Sequence, residues 1–237
     1  MILIYPEKLS SVATDTADGS FPASYLENDK PKRYWKSSGS NTGVITATVA
    51  ANSDQIGLFY TNAESAAIDV LVGAVSQETF NIDLTSPHSH NRFWQSYTAQ
   101  GVIHTIEITL TAPAGEAVYA GVLKVGLGVD LVDPAYGIGE SRRDFSIIKE
   151  LNNGAYYIRK KDPVRTFNVS FLEDRATDFY SFTKVADYYG PNPVAILVAE
   201  DIDDLEWAIF GHILNPFSAS HAHLNHTSVS FTITEAV

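Results

Sequence analysis

The chain has 237 residues, 45% hydrophobic and 19% charged, with a formal net charge of −12 and no cysteine. Its balance is that of a globular protein, and its length allows one large domain or two of ordinary size. The acidic total excludes the basic footprint of a duplex-DNA binder, and the missing cysteines exclude disulfides, thiolate metal sites and cysteine nucleophiles.

From the N-terminus, Met1–Lys8 lacks the basic region and long apolar core of a signal peptide, and no apolar run approaches the ~18 residues of a membrane span. With the absent cysteines this fits a protein assembled in a reducing compartment. Residues 30–36 hold Lys30, Lys32, Arg33 and Lys36, interrupted by Asp29 and Trp35. This pattern reads as a solvated loop, with Trp35 plugging the end of a sandwich.

Short β-type runs follow: 44–50, 56–60, 68–72, 80–84, 104–110 and 118–125. The alternation is clearest in His104-Thr-Ile-Glu-Ile-Thr-Leu110, which turns Ile106, Ile108 and Leu110 to one face, and in 44–50, which does the same with Ile45, Ala47 and Val49. Turn-forming clusters at 37–43, 61–65, 85–91 and 112–115 separate the runs. Many short strands at this spacing predict a β-sandwich of the jelly-roll kind over residues 1–130.

No flexible linker separates this block from the next, 131–237. There the predicted strands are 144–148, 156–159, 164–171, 193–198, 207–214 and 228–234. Ala176, Phe179, Phe182, Ala186 and Tyr189 make one apolar stripe, and Gly190-Pro191 is a stop signal, so a helix is predicted over about 174–189. The fold class is therefore mainly β, a jelly roll followed by an α+β sandwich with one flanking helix.

Few residues suggest chemistry. Gly126-Leu-Gly128 and Gly137-Ile-Gly139 resemble pieces of phosphate loops, but no helix follows either, so turns are expected. His221, His223 and His226 offer a conceivable metal triad on what reads as a polar hairpin loop, and no metal or cofactor is expected. The acidic run Glu200–Glu206 lacks the spacing and glycine of a calcium loop and reads as a charged turn. No Gly-x-Ser-x-Gly elbow is present, and the chain is not expected to be an enzyme. A sugar site needs a flat aromatic face and a fringe of planar polar groups, and Trp94 with His88, His90, Asn91 and Arg92 in one polar loop supplies both.

Phe21-Pro-Ala-Ser-Tyr-Leu-Glu-Asn-Asp-Lys-Pro31 with Tyr34-Trp35-Lys36-Ser37, and Ile56–Asn62 with Asn after the strand, resemble the opening of discoidin-like (galactose-binding-like) jelly rolls in bacteriophage tail proteins. Thr61 stands where that family often has His. Ala120–Gly126 is similar to the closing strand and Asp133–Gly137 to the exit. Arg165–Phe171, the predicted helix and Gly190–Pro193 resemble the tail-tube and distal-tail sandwich. The resemblance implies a structural virion protein of a tail tip or baseplate, built in the host cytoplasm. It would form a ring with itself, expected to be a hexamer, and contact other tail or fibre proteins. Residues from about 138 to 237 are expected to make the ring, with the first domain projecting outward. The alternative is a carbohydrate-binding module for host-surface adsorption, with host-surface glycan as partner.

Overall fold

The computed structural model describes residues 1–85, 91–131, 138–150, 155–161, 163–174, 187, 190, 192–198, 207–214, 218–220 and 226–236. In chain order the strands are β1 (Ile2–Glu7), β2 (Leu9–Thr14), β3 (Trp35–Lys36), β4 (Thr42–Val49), β5 (Gln55–Phe59), β6 (Ser65–Val72), β7 (Val75–Asp83), β8 (Arg92–Ser96), β9 (His104–Thr111), β10 (Tyr119–Ala120) and β11 (Val122–Asp130). There follow β12 (Gly139–Arg143), β13 (Ile147–Glu150), β14 (Tyr156–Arg159), β15 (Val164–Asp174), β16 (Val194–Leu197), β17 (Ala208–Ile213), β18 (Ser218–Ser220) and β19 (His226–Glu235). One 3-10 turn spans Ala23–Glu27. The chain divides into two compact units, Met1–Leu131 with Val194–Phe210, and Val132–Pro193 with Gly211–Val237.

The first unit is a β-sandwich of the jelly-roll kind. One sheet runs β2-β4-β9-β6-β7, and the strands of the other are ordered β16-β1-β11-β5-β8. Its core follows from the period of two. Ile45, Ala47 and Val49 on β4, Ile106, Ile108 and Leu110 on β9, and Ile68 and Val70 on β6 are all 1% exposed or less. They meet Ile56, Leu58, Phe93, Leu123 and Val125 of the facing sheet in one cluster. Trp35 lies in the same cluster, and its ring occupies the space above Gly43. A Cβ there would stand 2.6 Å from the ring, so only glycine fits.

The second sheet is also covered on its outer side. All five residues of β5 are buried. Ile56 and Leu58 point into the core, while Gln55, Gly57 and Phe59 share the outer face with their register partners on β8 and β11. Residues 194–198 and 207–210, which the sequence places in the second domain, supply the cover. Strand β16 pairs with β1, the Phe210 ring lies 5.7 Å from that of Phe59, and Arg92 donates from Nη1 to the carbonyl of Ala208 at 2.8 Å.

Lys124, 5% exposed, sits beneath the same ring, 5.6 Å from its centroid. Its ammonium reaches Glu7 at 3.0 Å and Asp29 at 2.7 Å. Burial pushes the Glu7 carboxyl up, and this outweighs the pull of Lys124 in the opposite direction.

In the second unit β15 and β19 pair over nine residues, Thr166 to Asp174 against Thr234 to His226. Phe167, Val169, Phe171, Val229, Phe231 and Ile233 are buried on one face. Thr166, Asn168, Ser170, Ser230, Thr232 and Thr234 form the polar one. Strand β12 pairs with β15, and β18 and the end of β17 pair with β19. Among the described residues, β13 and β14 pair only with each other.

Several expectations change. Gly126 and Gly128 lie inside strand β11 rather than in a turn, and a Cβ on Gly126 would meet the Pro6 carbonyl oxygen at 2.5 Å. The expected strand 144–148 is broken, because Asp144 accepts the backbone N–H of Ser146 in a local turn. Strand β8 forms where a polar loop was expected. Of the helix predicted over 174–189, Asp174 is instead the last residue of β15, Asp187 is helical, and the remaining residues lie outside those described. The run 200–206 and His221 and His223 also lie outside them, while His226 opens β19 opposite Asp174. No described helix is long and apolar enough to cross a membrane.

Truncating Ile108 to Ala should destabilise the first unit by about 2–5 kcal/mol, read as a lower urea midpoint with unchanged slope. A chain ending at Leu131 should expose the face around Phe59 and show a lower urea midpoint for the first unit than the full chain. An unchanged midpoint would show that the returning segment is a dispensable cover.

Candidate functional site

Hydrogen bonds bring the loops of one sandwich end together. Thr61 N donates to the Asn91 carbonyl, Leu84 N to that of Glu64, Glu64 N to that of Thr111, and Gly121 N to that of Phe59. Asn62 fastens this end with its amide, which accepts from Tyr119 N at 2.9 Å and donates to the Ala117 carbonyl at 3.1 Å. Thr61, fully buried, donates from Oγ1 to the Tyr119 carbonyl. These short polar side chains replace a strand ladder where the chain turns from sheet to sheet. Phe21 stacks on Tyr34 at 5.0 Å, and Tyr34 meets Tyr119 at 5.2 Å, closing the same end with a half-buried row of rings.

At this end, on the outer face of the sheet β2-β4-β9-β6-β7, an open cleft of about 310 Å³ is lined by Ser65, Ala67, Asn81, Asp83, Thr109 and Thr111. Register explains its shape. Ser65 lies between Thr111 and Asp83, and Ala67 between Thr109 and Asn81. Two small residues on the middle strand thus make a floor, and longer polar side chains on both neighbours make walls. Two strand spacings set the walls roughly 10 Å apart, and the two rungs lie roughly 7 Å apart along the strands. Threonine hydroxyls donate and accept, the asparagine amide does both, and the carboxylate accepts only.

Asp83 is oriented by its own turn: Thr85 donates to Oδ1 from its backbone N at 2.9 Å and from its hydroxyl at 2.7 Å. These bonds, the hydroxyl's first, hold the carboxyl below its usual value, so it is ionised across the neutral range. Its other oxygen, Oδ2, has no partner among the described residues.

The loop singled out in the sequence starts just past this cleft, since Asp83 ends β7 and residues 85–91 follow. Two of its members, Trp94 and Arg92, are turned into the protein and offer no exposed face to a sugar. Trp94 is 6% exposed and donates from its indole nitrogen to Gln55 Oε1 at 2.9 Å. It lies across the backbone of Gly57 on the covered face. Arg92 is buried on the same face, bonded to Ala208. Asn91 is exposed in a left-handed turn, φ 61°, and His88 and His90 lie outside the described residues. Polarity alone could have pointed to Asn81, Asp83, Thr109 and Thr111, which stand at the outward positions of their strands. Pairing of β6 with both β7 and β9 was needed to bring them together.

A Ser–His pair lies at the opposite end. Ser53 Oγ is 3.3 Å from His104 Nε2, and the Tyr97 hydroxyl is 2.7 Å from Ser53 and 3.0 Å from the same nitrogen. His104 Nδ1 sits 3.1 Å from the Val102 carbonyl, which requires the proton there and leaves Nε2 to accept. Ser53 and His104 are at most 1% exposed, and burial pushes the Tyr97 phenol up. The cluster is a lock between the loops before β5 and before β9. Among the described residues no group of three or more His, Asp or Glu is arranged to hold a metal ion.

No protein-family profile matches the chain, and no curated protein matches it. Solved structures do. Chitosan-binding module 1 of a chitosanase/glucanase from Paenibacillus sp. IK-5 is 14% identical, with 50% of this chain and 94% of that one covered and a TM-score of 0.40. The lectin domain of lectinolysin, complexed with Lewis B antigen, is 9% identical over 51% and 94%, with a TM-score of 0.43. XRCC1, bound to the DNA polymerase beta catalytic domain, is 9% identical over 51% and 97%, with a TM-score of 0.40. At these values the three proteins, with three different partners, do not say what this chain binds.

Replacing Tyr97 by Phe leaves Ser53 and His104 without their shared hydroxyl, and should cost about 1–3 kcal/mol in urea unfolding. An unchanged midpoint would mean that the lock contributes nothing.

Proposed function

We propose that the first unit is a saccharide-binding module and that the cleft between β7 and β9 is its site. The observation that carries this is the pair of rungs Thr111–Ser65–Asp83 and Thr109–Ala67–Asn81. A pyranose ring presents hydroxyls around its edge and C–H groups on its faces. The walls supply donors and acceptors at two heights for the edge, and the methyl of Ala67 underlies the ring. Among the described residues the one charged group lining it is a carboxylate, so neutral and amino sugars fit, whereas sialic and uronic acids are repelled. Protein pockets of this size hold one or two sugar rings.

The sequence resemblance provides a setting for such binding. In this reading the chain is a non-catalytic subunit of a phage tail tip, and the module meets saccharide on the host surface. Mass spectrometry of purified tails should then find the chain in stoichiometric amounts, and its absence would leave a free-standing module.

Glycan-array screening followed by calorimetry tests the site. Asn81→Ala and Asp83→Ala should each weaken binding at least tenfold, and Ala67→Phe, which fills the floor, should abolish it. All three positions are solvent-facing, so the melting temperature should hold. Binding should be flat from pH 8 to about pH 5. Because the Asp83 value is lowered, loss should set in only in the acid range, below the ordinary aspartate value. Unaltered affinity in all three variants, or no bound glycan, would remove the proposal.

A further inference from the structure

The hairpin β13–β14 is the part of the second unit that the fold leaves unexplained. Ile148, Tyr156, Tyr157 and Ile158 are 65%, 64%, 54% and 60% exposed. Every residue of both strands is exposed. Register assigns Ile148, Ile158 and Tyr156 with Glu150 to one face, and Ile147, Tyr157, Lys149 and Arg159 to the other. Apolar side chains thus stand uncovered on both faces of a two-stranded ribbon, which is marginal by itself in water.

Charge separates this hairpin from the rest of the chain. Residues 142–161 hold six of the sixteen Lys and Arg (Arg142, Arg143, Lys149, Arg159, Lys160, Lys161) and two of the twenty-eight Asp and Glu (Asp144, Glu150). That segment is therefore +4, and the remainder, against a total of −12, is −16. Lys149, Arg159, Lys160 and Lys161 form no ion pair with the described residues.

The first unit carries the opposite feature. The strands β2, β4, β6, β7 and β9 contain Asp69, Glu78, Asp83 and Glu107 and neither Lys nor Arg. On their outer face Glu107 stands directly opposite Asp69. Like charges facing each other across strands are destabilising. Asp69 takes a hydroxyl from Ser76, whereas Glu107, exposed, has no side-chain partner among the described residues. A cation placed between these two carboxylates would relieve the repulsion, and the chain's own sheet offers none.

We propose that the β13–β14 hairpin of one copy docks on the outer face of the β2-β4-β9-β6-β7 sheet of a second copy, with Lys and Arg of the hairpin over the Glu107–Asp69 pair. The contact is head-to-tail, so it repeats from copy to copy and either closes into a ring or extends. Charge complementarity argues for a second copy as the occupant, since its Glu107–Asp69 pair is left without a cation by its own sheet and meets the basic residues of the hairpin. This inference does not rest on saccharide binding.

Sedimentation velocity of the full chain over a concentration series tests it, in the absence of glycan. The wild type should rise from 25.9 kDa to multiples of that mass, and more weakly at high salt. The pair Ile148→Asp with Ile158→Asp, the pair Arg159→Glu with Lys160→Glu, and the pair Asp69→Lys with Glu107→Lys should each raise the dissociation constant at least tenfold. Circular dichroism melts should match wild type, since all these side chains face solvent. A chain carrying both charge-reversed pairs should associate again, which simple loss of folding cannot produce. A wild type that stays monomeric throughout, or association indifferent to all three pairs, would overturn the proposal. So would a monomeric wild type that co-sediments with phosphatidylserine vesicles through the hairpin, since the partner would then be a membrane.

Discussion

A sheet that is buried on both sides cannot end its own packing problem, and the first unit is organised around that constraint. Strand β5 is buried along its whole length, so the sheet needs one cover from its partner sheet and another from elsewhere. The chain delivers the second from residues 194–198 and 207–210, after the sixty-two residues Val132–Pro193. Phe210 then touches Phe59 and lies over Lys124, and Tyr60 donates from its hydroxyl to the Phe210 carbonyl at 3.4 Å. Tyr60 holds φ at 64°, a conformation that a bulky residue adopts only when its surroundings fix it. The neighbouring pairing, Gly121 N to the Phe59 carbonyl, and the hydroxyl contact together provide that fixing.

The same constraint decides which surfaces are available for binding. With one sheet covered on both sides, Trp94, Arg92 and Lys124 become interior groups and are satisfied there by Gln55, Ala208, Glu7 and Asp29. The other sheet keeps an open outer face rich in threonine, and small residues on its middle strand turn part of that face into a cleft. The proposed saccharide site therefore sits on strands, where the register fixes the spacing of the side chains to within the pleat, rather than on a loop tip.

Local pattern made much of this readable. The alternations in 44–50 and 104–110 place Ile45, Ala47, Val49, Ile106, Ile108 and Leu110 without knowledge of any neighbour, because a strand has only two faces. Arg92–Ser96 misled for a definite reason. Its polar residues and its turn-like approach suggest a loop, yet Arg92 and Trp94 are buried polar groups with specific partners, and such partners are invisible in a sequence. The cleft was missed for the opposite reason. Asn81, Asp83, Thr109 and Thr111 look like ordinary solvent-facing positions until β6 is inserted between their strands.

The inward sets of β4 and β9, and the charge contrast between 142–161 and the rest, are properties of the sequence alone, because they depend on residues adjacent in the chain. What only the tertiary structure decided is the return of 194–210 to the first unit, the interior role of Trp94, and the meeting of Thr111, Ser65 and Asp83 across three strands. Those features depend on contacts between residues up to more than a hundred positions apart, as between Arg92 and Ala208. Many sequences of the same alternation are compatible with many such pairings, and the choice among them is made by packing both faces of one sheet at once.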